Sequence, residues 1–365
     1  MMKSNSTFKL AAVALALFCW GGAAHAQKAK EKKAVVVSVE PQVTVVYDQK
    51  MKIKIAPVSK VTPATKVMPA PRAERAAFIS EQTIAADQNV IVSLSVLSGS
   101  ITVHGSDRRD VRVQTNDDKR IELRRKDGTG GNAPATRLQV LFYDPDEGGQ
   151  AEECGGSTDV KMEVPRGATV ILKTQEGDID VSDIAEARAS TSNGDVSLRR
   201  VTRAVEANSN SGDVILRDAG GHVRLNSISG SVEAVNVSAI DEGDFVQAKT
   251  VSGDVTLEKI GPSRVEARTI SGELNLTGAL APGGHYDFNT TSGDITLTLP
   301  ESASFKLDAQ VFTSGEISTG FPLKQTGKAS PFTQLAAGHL IGIYGSGDAT
   351  INLISYSGTL RLIKK

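Results

Sequence analysis

Eight acidic residues directly follow a glycine of a recurring pattern: Asp178, Asp195, Asp213, Asp254, Glu273, Asp294, Glu316 and Asp348. Stacked in register, such residues would form a column of carboxylates ~5 Å apart. Like charges so placed repel, and a hard cation with oxygen ligands would relieve the repulsion. Asp195, Asp213 and Asp254 are the residues such a cation column would use. The competing reading is turn chemistry, because Asp favours turns and bonds to nearby backbone. Turn chemistry is preferred. Calcium-binding repeats have glycine-rich nine-residue units, whereas the spacing here is about twice that and the second glycine is missing. Clustered acids also cleave glycosides, and Asp178, Asp180, Asp183 and Asp195 are the candidates. That reaction needs two carboxyls about 5–9 Å apart across the substrate, and nothing in this spacing imposes such a pair.

Other residues able to do chemistry are sparse. His104, His222, His285 and His339 are scattered, without metal-ligand spacing. There is no Ser elbow, Walker loop or dinucleotide fingerprint. The only tryptophan is Trp20, near the N-terminus. Of the two cysteines, Cys19 lies in the same N-terminal stretch, and Cys154 has no His or Lys beside it. It reads as an inert surface thiol in a chain with no internal disulfide. The expectation is no catalytic residue, no cofactor, no metal, and no enzyme.

The elements that would position these acids announce themselves by repetition. "TSNGDVSLRRV" (191–201), "TVSGDVTLEKI" (250–260) and "TTSGDITLTLP" (290–300) say nearly the same thing. The glycines align as Gly177, Gly194, Gly212, Gly230, Gly253, Gly272, Gly293 and Gly315, in steps of 17, 18, 18, 23, 19, 21 and 22 residues. Gly347 and Gly358 continue the pattern and Gly99 anticipates it. A recurring step of about this length marks a stacked repeat. Each unit reads strand, corner, strand, turn: Val265 and Ala267 alternate inward before the corner, Leu274 and Leu276 after it. Glycine serves the corner because it adopts φ > 0 at little cost. The favoured fold is all-β: a β-solenoid, right-handed and β-helix-like, of stacked two-strand rungs with a β-rich N-terminal portion. An antiparallel meander, in which Ser-Gly is a hairpin turn, fits the same period.

Outside the repeats the chain changes character. Residues 1–26 have a charged start at Lys3 and Lys9, an apolar run from Leu10 to Phe18, and Ala24-His25-Ala26 as a cleavage signal, which predicts a secretory signal peptide. Residues 27–80 form a basic Pro-rich tether, with 11 Lys/Arg against 4 Asp/Glu over 27–75. Residues 81–167 alternate apolar and polar as an N-terminal β region, and 168–365 carry the Ser-Gly-Asp repeats.

"SGSITVHGSDRRDVRV" (98–113), "VKMEVPRGATVILKTQEGDIDV" (160–181), the serial "SGDV" units and "YDFNTTSGDITLTLP" (286–300) resemble the bacterial β-strand-repeat family of "putative adhesins", a domain of unknown function. The likeness spans roughly residues 80–365. It implies a β-solenoid at the cell envelope and brings no catalytic residues with it. The expected function is a non-enzymatic, exported, adhesin-like binding or structural module in the periplasm, at the cell surface or outside the cell. The alternatives are a carbohydrate-active β-helix enzyme and an envelope sensor or assembly subunit that binds another protein. The expected partner is an envelope polymer or protein rather than nucleic acid, with the basic tether touching anionic lipid or wall polymer.

Overall fold

Val, Ile, Leu and Thr recur at every second position in the repeats, and alternate side chains point inward. The units after Gly177 and Gly194 each run as one long strand, Ile179–Asn193 and Val196–Ser211, and those from Gly212 to Gly293 as two short ones. In the computed structural model, which describes residues 80–117, 120–128, 133–143, 155–325 and 338–365, every described residue belongs to one compact unit, Arg72–Lys365. The leader, the tether up to residue 79 and Cys154 lie outside the described residues, and Ser80 already begins the strand Ser80–Ser98. The described residues contain no helix, so none is long and apolar enough to cross a membrane.

Strand direction separates the solenoid from the meander. Arg264–Ser271 pairs in parallel with Phe245–Lys249 on one side and with His285–Ser292 on the other. Across the corner, Leu274–Thr277 does the same between Val255–Ile260 and Ile295–Leu299. Parallel neighbours from successive units, with no hairpin at the Ser-Gly pair, make a β-solenoid. From the Gly230 rung to the Gly358 rung the strands pair without a residue of slip, so like side chains form rows, whereas a one-residue shift falls between Val201 and Ala204 lower in the stack. Val246, Val265, Tyr286 and Ile351 make one inward row, and Leu257, Leu276, Leu297 and Leu362 another. All these side chains are buried, and the rows form one continuous core.

The rungs do not stack in chain order at either end. The sequence pattern places Gly315 directly after Gly293 and adds Gly347 and Gly358 beyond it. Instead, the final strands Ala349–Ser357 and Leu360–Lys364 insert between the Gly293 rung and the Gly315 rung. Likewise Ile101–Ser106 lies between Val160–Pro165 and Ile179–Asn193. Each end carries antiparallel strands. Arg120–Arg125 covers Ala135–Tyr143 at one end, and Gly338–Tyr344 covers Phe305–Ser314 at the other. Phe305, Phe321 and Tyr344 close the core there, with ring centroids 4.8–5.7 Å apart. A charged edge such as "RIELRR" discourages a further strand from adding.

Candidate functional site

The corner glycines stand one above another: Gly99, Gly177, Gly194, Gly212, Gly230, Gly253, Gly272, Gly293, Gly358 and Gly315, in stacking order. A Cβ on any of them would come within 1.9–2.2 Å of the carbonyl oxygen of the glycine or threonine on the rung before. Most of them also have positive φ, from +118° at Gly99 to +155° at Gly253. Gly230 lacks that φ yet shares the close approach, 2.1 Å to the Gly212 oxygen. Tight stacking of the corners is therefore the cause common to all ten. Thr158 heads the column and stands where a glycine otherwise would. Among the described residues no earlier corner lies beneath it.

The acids at this corner bind backbone. Asp178 Oδ1 accepts the Asp195 N–H at 2.9 Å, Asp195 Oδ1 the Asp213 N–H at 2.8 Å, and Asp213 Oδ1 the Ser231 N–H at 2.7 Å. Asp254 Oδ1 does the same for Glu273 at 2.8 Å, and Asp294 Oδ1 for Thr359 at 2.8 Å. Glu316 adjoins the last corner glycine of the stack. Asp348 does not join the column: it follows Gly347, which packs on Ile343 and Lys306, and its carboxylate accepts from Ser346. Among the described residues no group of three or more His, Cys, Asp or Glu is arranged to hold a metal.

Inside the corner a second ladder runs unannounced by the acids. At the seven corners from Gly194 to Gly358 in the stack, the residue three before the glycine is a buried Ser or Thr whose hydroxyl donates to the glycine carbonyl one rung back. Thr191 reaches Gly177 at 3.1 Å, Ser209 reaches Gly194 at 2.9 Å, and Thr250 reaches Gly230 at 2.8 Å. These bonds satisfy carbonyls that the corner turns away from the strand ladder. Its signal is visible as Ser/Thr-x-Ser/Asn-Gly. Asp159 was also missed, because Thr158 replaces the expected glycine. Its carboxylate accepts the Ser100 N–H at 2.8 Å.

Six residues past the corner the chain bends again. Asp183, Arg200, Asp218, Asn236 and Lys259 sit there with φ between 51° and 62°. Side chains bridge this second column: Arg200 to Asp183 at 2.6 Å and Asn236 Nδ2 to Asp218 Oδ1 at 2.6 Å. The four acids considered for glycoside cleavage thus serve different contacts. Asp178 and Asp195 hold the corner, Asp180 pairs with Arg199 at 3.1 Å, and Asp183 with Arg200. The histidines stay apart. His104 meets Ser182 at 3.0 Å, His222 meets Asp244 at 2.6 Å, His339 meets Asp308 at 2.9 Å, and His285 is exposed.

The serial corner and its ladders span a stretch that one family model matches: residues 152–362 fit Toastrack DUF4097. The chain belongs to the Toastrack DUF4097 family. The family match starts at 152, whereas the likeness in the sequence begins near residue 80. No curated protein matches the chain. Among solved structures, a putative adhesin from Bacteroides fragilis is 12% identical over 79% of this chain and 100% of that one, with a TM-score of 0.30. A putative adhesin from Parabacteroides merdae is 8% identical over 79% and 100%, with a TM-score of 0.29. A putative cell adhesion protein from Clostridium sporogenes is 11% identical over 78% and 99%, with a TM-score of 0.23.

Proposed function

We propose that the protein is an exported, non-enzymatic module of the cell envelope, a rigid parallel solenoid that binds or spaces other envelope components. The observation that carries this reading is the use to which the acids are put. Asp178, Asp195, Asp213, Asp254 and Asp294 each hold the next rung's backbone, and Asp180 and Asp183 each hold an arginine. Carboxylates so engaged build a scaffold rather than converge on a substrate. The resemblance to the adhesin-like family implies an envelope role, and the leader-like residues 1–26 supply the route of export.

Expression of the full chain followed by fractionation and N-terminal sequencing tests the export. The expected product leaves the cytoplasm and begins at Gln27, and a cytoplasmic product that begins at Met1 would overturn it. The second half of the reading is tested by incubating the purified protein with a panel of cell-wall and capsular polysaccharides. Release of new reducing ends would show an enzyme instead.

A further inference from the structure

The outer face of the strands that lead into the corner glycines carries a cleft of about 180 Å³ that spans four rungs. Its origin is a gap in a row. Glu186, Ala204 and His222 stand in register on consecutive rungs, and Phe245 stacks on His222 with ring centroids 5.1 Å apart. Ala204 is the small member, so its methyl and the backbone around it form a floor between two taller walls. The parallel row beside it reads Arg188, Glu206, Arg224.

The long step of 23 residues between Gly230 and Gly253 shapes the far wall. The extra residues form a loop that Asp244 ties down. Its carboxylate is almost wholly buried and accepts the N–H groups of Ile240 and Asp241 at 2.7 and 2.8 Å and His222 at 2.6 Å. Phe245, the next residue, is thereby held against His222, with Arg224 over its ring at 5.0 Å. In repeat proteins such insertions gather on the binding face.

The rim keeps hydrogen-bonding capacity in hand. Arg188 approaches Glu206 only to 3.9 Å, and Arg203 approaches Glu186 only to 3.8 Å, against 2.6 Å for Arg200 and Asp183. Two carboxylates that only accept stand among guanidinium groups that only donate. The charges lining the cleft, Glu186 and Glu206 against Arg188 and Arg224, cancel. A neutral ligand able both to donate and to accept, with an apolar face for the floor, suits this set better than an ion of either sign. All of it rests on paired strands, so binding needs little ordering.

We propose that this cleft binds a neutral saccharide unit, its ring face on Ala204 and its hydroxyls toward Glu186, Glu206, Arg188 and Arg224. The proposal deepens the reading of the protein as a binding module and rests on it. The test is saturation-transfer NMR on the purified protein, with cellotetraose, maltotetraose and chitotetraose at millimolar concentration, and a neutral Lys-Glu peptide as the competing class. Ala204→Leu fills the floor and removes no hydrogen bond, Arg224→Ala removes one rim donor, and Asn275→Ala, in Leu274–Thr277 across the corner, is the control. The expected result is transfer to at least one oligosaccharide. Affinity should drop about tenfold or more in Ala204→Leu, drop in Arg224→Ala, and stay the same in Asn275→Ala. Circular dichroism confirms that each variant is folded. Equal binding by folded Ala204→Leu would move the saccharide elsewhere, sinking the cleft while leaving the binding module standing. Transfer to the peptide alone, or to no probe, would also overturn the cleft, whereas a cytoplasmic or hydrolytic protein would remove the reading beneath it.

Discussion

At the scale of single residues, the glycine column is governed by distance more than by dihedral angle. Gly253 combines both constraints, with φ +155° and the Gly230 oxygen 2.2 Å from any added Cβ. Gly243, in the inserted loop, has nothing within 4 Å of that position. Gly253→Ala is expected to cost about 2 kcal/mol or more, because a strained backbone and a carbonyl in the way must both yield. Gly243→Ala should stay within about 0.5 kcal/mol. Urea unfolding of the two variants makes the comparison, and equal midpoints would remove the stacking argument. The second bend obeys a different rule. Asp183, Asp218 and Asn236 suit a left-handed φ because their short polar side chains tolerate it, whereas Arg200 and Lys259 do so at a cost.

At the scale of the corner and the loop, carboxylates act through the backbone they hold. The Oδ1 atoms of Asp195 and Asp254 are each engaged by an N–H of the following rung, so a cation would have to compete with those bonds. Addition of millimolar calcium should leave the melting temperature unchanged. An ion present at 100 times its dissociation constant would add ~2.7 kcal/mol, and a rise of that size would show a cation column after all. Acid should act differently. The bonded Arg200 guanidinium holds the Asp183 carboxyl below its ordinary range. Burial pushes Asp244 up, but the N–H bonds from Asp241 and Ile240 and the neighbouring His222 outweigh it and bring the carboxyl below its usual value. A carboxyl with a lower pKa in the folded chain gives stability that is complete above its unfolded value, about 3.9. That stability is lost as pH falls through the folded value. Unfolding midpoints should therefore decline below about pH 4, and less steeply in an Asp183→Asn, Asp244→Asn double variant. Parallel acid profiles for the two proteins would count against this account.

At the scale of the whole molecule, the interior rungs are interchangeable and the ends are not. Deletion of Asp254 to Gly272 removes Val255–Ile260 and Arg264–Ser271. It leaves Phe245–Lys249 to meet His285–Ser292, and Val232–Ser238 to meet Leu274–Thr277. Both new pairs carry the same inward rows, so the stack should close one rung shorter, with stability reduced roughly in proportion. Truncation after Tyr344 removes a similar length but takes out the rung between Gly293 and Gly315, stranding the Phe305–Ser314 strand and its aromatic cap. That protein should melt well below the internal deletion. If the truncated chain melted higher, the interleaved end would not be the clasp described here.

Much of this fold was legible in the chain because its causes are local. A glycine after Ser or Asn, an acid after the glycine, and apolar residues two apart are short-range demands of one corner and two strands. Val265, Ala267, Leu274 and Leu276 could be assigned to the core from one unit alone. Strand direction could not, since a step of about 18 residues suits a parallel rung and an antiparallel hairpin alike. Nor could the order of rungs at the ends. Gly358 enters between Gly293 and Gly315 through pairings between residues more than forty positions apart, which no period records. The acids of the corner were visible by type and spacing, but whether they faced a cation, a substrate or a backbone N–H depended on the neighbouring rung. The cleft was hidden for the same reason. Ala204 is an unremarked alanine in the sequence and becomes a floor only when stacking sets Glu186 and His222 on either side of it.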